Sequence, residues 1–399
     1  MKTKILLVEN IHTVAKERLE NAGYHVDLIK ESPDESSLIK MLSQYQMLGI
    51  RSKTEITDKV IKSCPHLLAV GAFCIGTNQI RLQSAKMAGI PVFNAPHANT
   101  RSVAELVIAE MIALSRQLGD RNTRAHRGEW MKSAEGAHEV RGKTLGIVGY
   151  GHIGSQLSIL AESMGLNVIF YDIVKKLPLG NARPMRSLEE VLQEADFVSF
   201  HVPETPQTKD MMGPAEFKAM KKGSYLINAS RGTVVVIEAL VEALKSGHLV
   251  GCAIDVFPKE PSSNKERFES ALQELPNVIL TPHIGGSTEE AQYAIGLEVA
   301  ESFCQFLSLG STLGSVNFPQ VDLSKTNLTK RILNIHRNEP GVLGEINGIV
   351  SEAQANIQSQ ALSTDESIGY LIMDLETKHA ESLAEEIQKL KRSIKTRVV

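Results

Sequence analysis

Cysteine is scarce in this chain: Cys64, Cys74, Cys252 and Cys304 are the four among 399 residues, with no C-x-x-C pair and no zinc-ligand spacing. That excludes a disulfide framework, gives no metal site, and points to reduced thiols in a cytoplasmic protein. Long apolar runs are missing as well. The first, Ile5-Leu-Leu-Val8, passes straight into polar sequence, too short for a signal peptide, and no later run is long enough to span a bilayer. Charge of one sign is not in excess, the formal net charge being −3, so neither nucleic acid nor an anionic membrane is an expected partner. Aromatic residues make up 5% and there is one tryptophan, Trp130, in a polar stretch where it reads either as an interface anchor or as a buried core residue. Repeats and low-complexity tracts are absent. What the chain has is 42% hydrophobic residues over a length that suggests two or three domains.

Strands and helices alternate from the start. Residues 4–8, 24–29 and 47–50 read as strands, with helices over 12–21 and near 34–43, which means a parallel sheet covered on both faces. Ligands of such sheets gather beyond the carboxyl ends of strands. Arg51-Ser52-Lys53 stands at one such end, a basic and hydroxyl cluster suited to a phosphate or carboxylate. Asn78 and Asn99 stand at others as hydrogen-bond donors. From Ser102 one long helix is expected to run to about Arg127.

The stretch Gly149-Tyr150-Gly151-His152-Ile153-Gly154 reads G-x-G-x-x-G. It follows an apolar run at 143–148 and precedes helical spacing at Ile153, Leu157, Leu160, Ala161 and Met164, closed by Gly165. A second strand, 167–171, ends in Asp172, about 20 residues beyond the turn. This strand–turn–helix–strand–acid layout is a dinucleotide site: glycines for the turn and the approach of pyrophosphate, the helix N-terminus for its charge, Asp172 for the ribose hydroxyls. An acid there repels a 2′-phosphate, so NAD is expected over NADP, although Lys175 and Lys176 lie close by. The strand ending His201-Val202-Pro203 carries a polar loop over the same cleft.

Three charged residues follow three further strands: Arg231 in Ala229-Ser230-Arg231-Gly232, Glu260 between Pro258 and Pro261, and His283 in Thr281-Pro-His-Ile-Gly-Gly286. Hydride transfer between a 2-hydroxy acid and NAD asks for a carboxylate clamp, a base, and a group that tunes the base. A guanidinium, an imidazole and a carboxylate supply these in turn.

Together, Gly149 to Gly154, Asn228-Ala-Ser-Arg-Gly-Thr233, Asp255-Val-Phe-Pro-Lys-Glu260-Pro and Thr281 to Gly286 resemble the D-isomer-specific 2-hydroxyacid dehydrogenases over residues 1–315. The likeness is to the short bacterial type with a C-terminal ACT domain. It implies two doubly wound parallel-sheet domains, Rossmann-like and flavodoxin-like. The substrate-binding domain would span 1–100 and 287–315, and the NAD-binding domain 101–286. It further implies Arg231, Glu260 and His283 as the catalytic set, Asp172, Asp255 and Gly286 near NAD, and Arg51, Ser52, Asn99 and Gln292 around a substrate phosphate. Trp130 would lie at a subunit contact, with Lys132 reaching a neighbouring active site. The implied reaction is NAD-dependent oxidation of 3-phospho-D-glycerate to 3-phosphohydroxypyruvate, the first step of L-serine synthesis, with 2-oxoglutarate reduction as a side activity. Rival readings are a dehydrogenase of hydroxypyruvate or glyoxylate, and an NAD(H)-sensing corepressor.

Residues 308–325 are small and polar and look like a linker, with 316–326 as its bounds. Beyond it, 327–399 reads βαββαβ, a ferredoxin-like arrangement that resembles the ACT module. That resemblance implies L-serine bound across a dimer interface by His336, Asn338 and Asn356, and a homotetramer built through ACT and nucleotide-domain contacts. One departure stands out: Val236 occupies a helix start where the family usually has a capping Asp.

Overall fold

Short apolar runs separated by amphipathic helices give the first sheet: β1 (Lys4–Leu7), β2 (His25–Leu28), β3 (Met47–Ile50), β4 (Ala69–Ala72) and β5 (Val92–Asn94). All pairs are parallel, in the order β2-β1-β3-β4-β5. β3 and β4 are buried at every residue, as a sheet covered on both faces requires. Asp34 caps one helix start by accepting from the amides of Ser36 and Ser37, and Thr57 caps another by accepting from that of Val60. A long helix, Glu289–Leu309, covers one face and sets Phe303 edge-on to Phe73 and Phe93.

The computed structural model describes residues 3–261, 265–324, 329–376 and 380–399. These divide into two compact units, Met1–Ala98 with Gln292–Val399, and Asn99–Ala291. Among the described residues no helix is long and apolar enough to cross a membrane.

The second unit holds seven parallel strands: β6 (Thr144–Val148), β7 (Asn167–Tyr171), β8 (Arg183–Pro184), β9 (Phe197–Phe200), β10 (Ser224–Asn228), β11 (Leu249–Ile254) and β12 (Val278–Leu280). Their order is β12-β11-β10-β9-β6-β7-β8, so the chain reverses direction across the sheet between β6 and β9. That reversal is where a doubly wound sheet opens its ligand crevice. The single long helix expected over 102–127 is two helices, Thr100–Ser115 and Leu118–His126, with Gln117 left-handed at φ 50° between them. The cause is legible: the first buries Val103, Val107, Met111 and Leu114, whereas the second buries nothing.

In the first unit the C-terminal module is β13 (Lys330–Arg337), a helix Val342–Glu352, β14 (Ile357–Thr364), β15 (Ile368–Leu375), a helix Ala380–Lys389 and β16 (Ser393–Val398). The sheet is antiparallel in the order β14-β15-β13-β16. Its two helices cover one face. The other packs Leu333, Ile335, Tyr370 and Ile372 with Phe318 and Met87. Lys86 pairs with Asp365 at 2.8 Å, Lys395 donates to Leu67 O, and Arg397 stacks 4.3 Å over Phe306. The module is therefore fastened to the first sheet. The stretch read as a linker is fastened too: Ser311, Thr312, Ser315 and Asn317 are buried. Asn317 accepts from Val92 N and donates to Ile90 O, while Thr312 Oγ1 accepts from Val321 N. Lys325 and Thr326, its expected end, and the following Asn327 and Leu328 lie outside the described residues.

Candidate active site

Each glycine of the β6 turn has its own geometric reason. Gly149 sits at φ 93°, where a Cβ would lie 2.4 Å from His201 O, and a Cβ on Gly154 would lie 2.2 Å from Gly149 O. Only hydrogen fits at either position. A Cβ on Gly151, by contrast, would meet nothing within 4 Å. It begins the helix His152–Ser163, leaving an open approach to the helix N-terminus. His152 is exposed there and Ile153 is half-buried. At the end of β7, Asp172 accepts from Tyr150 N through one oxygen and Val174 N through the other, both at 2.8 Å. Its carboxylate is thereby held beside the turn, with lone pairs left for hydroxyl donors. These residues fit a pyrophosphate and a ribose diol, the two parts of NAD such a turn must hold.

His201, expected as a cofactor ligand, follows β9 and lies next to the glycine turn. Its Nε2 pairs with Ser199 Oγ at 2.9 Å, and its buried Nδ1 has no partner among the described residues. Burial keeps the ring neutral, its pKa lowered to about 4. Its amide donates to Val148 O at 2.8 Å, and its carbonyl lies against Gly149. Pro203 is exposed, its carbonyl accepting from Thr208 Oγ1.

After β10, Asn228 shapes the loop that carries Arg231. Its Oδ1 accepts from the amide and hydroxyl of Ser230, and its Nδ2 donates to Arg231 O. Ser230 is buried and Ala229 is half-buried. A Cβ on Gly232 would lie 2.0 Å from the carbonyl carbon of Phe257, so the Arg231 loop rests directly on the segment leading to Glu260. Glu260 accepts from Phe257 N through Oε1 and meets His283 Nδ1 through Oε2 at 2.9 Å. Arg231 donates to Ser230 O, and its charge is felt by both Glu260 and His283.

The electrostatics of the pair are mutual. The hydrogen bond that His283 makes to Glu260, together with the charge of Glu260, outweighs burial and raises the pKa of His283. Burial pushes Glu260 up, but the hydrogen bond and charge of His283 outweigh it and leave the carboxyl below its usual range. With Nδ1 engaged, Nε2 is the nitrogen left for a reacting proton. The imidazole side chain is 54% exposed, on a residue held left-handed at φ 53°.

Asp255, expected beside NAD, is 1% exposed. Its carboxylate accepts from Thr281 Oγ1 at 2.6 Å, Ile284 N at 2.8 Å and Gly285 N at 2.9 Å, and its carbonyl accepts from His283 N. Asp255 is the buttress of the turn that bears His283. Gly286 lies against Asn99: a Cβ there would be 2.6 Å from Asn99 Nδ2, and Asn99 Oδ1 is buried without a partner among the described residues.

Lys132 and Trp130 lie on an exposed arm, the tryptophan 88% exposed. Arg121 holds this arm by donating to the carbonyls of Met131 and Ser133. In the first unit, Arg51 and Ser52 follow β3, and Gln292 lies on the helix Glu289–Leu309. In the C-terminal module His336 is buried, bonded through Nδ1 to Asn334 Oδ1, and burial lowers its pKa. A Cβ on Gly369 would lie 2.3 Å from its Nε2. Asn338 donates to Asp365 O. Asn356 stands at the far end of β15, beside Glu376, about 20 Å along the strand from Gly369. One copy brings His336 and Asn338 together, but not Asn356.

A glycine turn built for a dinucleotide, with Arg231, Glu260 and His283 gathered on neighbouring strand ends, defines an NAD-dependent oxidoreductase. The model of the D-isomer specific 2-hydroxyacid dehydrogenase NAD binding domain matches residues 108–285, and that of the AHAS small subunit-like ACT domain matches 332–395. Two relatives named D-3-phosphoglycerate dehydrogenase match along the whole chain. That of Dictyostelium discoideum is 52% identical over 398 residues, covering 100% of this chain and 97% of its own. That of Haemophilus influenzae is 54% identical over 399 residues, with the same coverage. Among solved structures, D-lactate dehydrogenase from Aquifex aeolicus, complexed with NAD and lactic acid, aligns with TM-score 0.69 at 26% identity. It covers 79% of this chain and 100% of its own. The chain belongs to the D-isomer-specific 2-hydroxyacid dehydrogenase family.

Proposed function

We propose that this chain oxidises 3-phospho-D-glycerate to 3-phosphohydroxypyruvate with NAD and that L-serine inhibits it. The observation that carries the chemistry is the 2.9 Å contact between His283 Nδ1 and Glu260 Oε2, with Arg231 beside them. Full-length likeness to relatives named for this substrate supports the choice of acid.

Gly149, Gly151, Gly154 and Asp172 would hold NAD, which when bound would supply the acceptor for the hydride from C2 of the substrate. Arg231 clamps the carboxylate with the donors not used on Ser230 O, and in the reverse direction polarises the ketone. His283 takes the C2 hydroxyl proton on Nε2, and Glu260 stabilises the imidazolium that results. Arg51 and Ser52 bind the phosphate, with Asn99 and Gln292 as further polar partners. The same basic cluster suits a second carboxylate, which supports 2-oxoglutarate reduction as a side activity.

For regulation, β14 is a sheet edge. Antiparallel pairing of β14 with its copy would carry Asn356 of one chain toward the end of the sheet where Thr364, Gly369 and His336 of the other lie. That supports a serine site shared by two ACT modules, and a tetramer if nucleotide domains also pair, Trp130 at the contact and Lys132 reaching over.

The test is a panel of 2-hydroxy acids and 2-oxo acids followed by NADH absorbance, with and without serine. 3-Phosphoglycerate should give the highest kcat/KM, and serine should lower the rate. Preference for an unphosphorylated acid would refute the assignment. His336→Ala should blunt serine inhibition and leave the uninhibited rate nearly intact.

A further inference from the structure

The turn that follows β3 is built around a buried acid from the loop after β1. Glu9, two residues past β1, is 7% exposed. Both it and Asn10 are left-handed, at φ 65° and 51°. Non-glycine residues take up such backbone only when surroundings hold them there. Here Glu9 N bonds to Glu31 O and Asn10 N to Ile29 O. The result sends the Glu9 carboxylate under the Arg51–Thr54 turn. Oε1 accepts from Arg51 N at 3.1 Å and Thr54 N at 2.7 Å, and Oε2 accepts from Lys53 N at 3.0 Å. Gln79 Nε2 holds Arg51 O at 2.5 Å, and Ser32 Oγ meets Thr54 Oγ1 at 2.9 Å.

A run of amides converging on one point is an anion-binding concavity. In this chain that concavity is already filled by the protein's own carboxylate. A substrate phosphate therefore cannot use these amides and is left to the side chains that the turn presents. Arg51 is half-buried and Ser52 and Lys53 are exposed.

We propose that Glu9 is a positioning residue for substrate recognition. By occupying the amides of the 51–54 turn it fixes the direction of the Arg51 and Ser52 side chains and confines recognition of the substrate's second anionic group to them. This rests on the reading of Arg51 and Ser52 as the phosphate-binding pair. Charge-assisted bonds to backbone amides are strong. Losing them lets the turn relax, and the cost falls on substrate binding rather than on the hydride step.

The test compares Glu9→Ala, Glu9→Gln, Arg51→Ala and the Glu9→Ala/Arg51→Ala double variant on 3-phosphoglycerate, with KM and kcat measured separately and KM for NAD as a reference. Glu9→Ala should raise the substrate KM about tenfold or more, with kcat within about twofold and KM for NAD unchanged. Glu9→Gln, which keeps one acceptor oxygen, should fall between it and the wild type. The double variant should be worse than Arg51→Ala alone by a smaller factor than Glu9→Ala costs the wild type, because Glu9 acts through Arg51 as well as through Ser52. If Glu9→Ala does not fold, Glu9→Gln carries the same KM-against-kcat comparison. An Arg51→Ala defect with both Glu9 variants at wild-type KM overturns the positioning role and leaves the phosphate-binding reading standing. A parallel fall in kcat and rise in both KM values makes Glu9 merely structural and overturns the role as well. An Arg51→Ala variant with wild-type KM removes the reading on which it rests.

Discussion

The His283 imidazole and the Glu260 carboxylate meet through Nδ1 and Oε2 at 2.9 Å, and each holds the other in its charged form. Oxidation needs neutral imidazole as base, so the acid limb of kcat/KM reports the raised pKa of His283. Glu260→Gln removes the hydrogen bond and charge that raise it. The acid limb should then move to lower pH. The reductive reaction, which needs imidazolium as acid, should lose about tenfold or more near pH 8. An oxidative limb that stays in place would separate Glu260 from the chemistry.

A second acid in the same unit is in the opposite situation. Glu110 is 3% exposed, and neither carboxylate oxygen has a partner among the described residues. Burial, and then the nearby charge of Asp255, raise its pKa from 4.5 to about 8. The folded chain thus keeps a proton that the unfolded chain releases above pH 4.5. Stability from this group is present below that pH and is lost as pH rises toward 8, by up to about 1.4 kcal/mol per pH unit. Glu110→Gln should remove this slope. Urea unfolding at pH 5.5 and at pH 8 should show the variant gaining on the wild type as pH rises, and a constant difference would contradict the account.

In the first unit Arg331 is fully buried and uses all five of its donors. Nε and Nη2 grip Asp374 at 2.7 Å, while the remaining N–H groups reach Leu309 O, Leu323 O and Ser324 O. Asp374→Asn would strand this cation. The expected loss is about 3–5 kcal/mol, seen as a lowered calorimetric transition with the nucleotide-binding unit unaffected. A shift smaller than about 1 kcal/mol would mean that the pair is solvated.

Val236 begins the helix Ile237–Lys245 in extended conformation and makes no side-chain cap. Val236→Asp should stabilise the nucleotide-binding unit by about 1 kcal/mol, since an acid there accepts from the orphan amides and faces the positive end of the helix. Thermal denaturation at neutral pH checks it, and a lower midpoint would show that the valine's packing matters more.

What the sequence made legible is what depends on local pattern. The glycine turn, Asp172 beyond it, and the strand-end positions of Arg231, Glu260 and His283 all follow from residue type and spacing. So does the βαββαβ order of the C-terminal module. What escaped depends on contacts between distant segments. Asp255 reads as a cofactor neighbour, and nothing local shows that its carboxylate also holds residues 281–285 in place. Glu9 is one acid in a polar stretch until the turn at 51–54 closes on it. The small polar residues 311–317 read as a linker because nothing local shows that Asn317 is bonded to β5. The helix break at Gln117 was the exception, since the apolar spacing stops at Leu114 in the sequence itself.

The central claim is that His283 moves the substrate proton. Single-turnover formation of NADH from 3-phosphoglycerate by His283→Ala, with NAD binding followed separately by fluorescence, tests it most directly. The rate should fall by about 10²–10⁴-fold while NAD binds as before; a rate within a few fold of the wild type would contradict it.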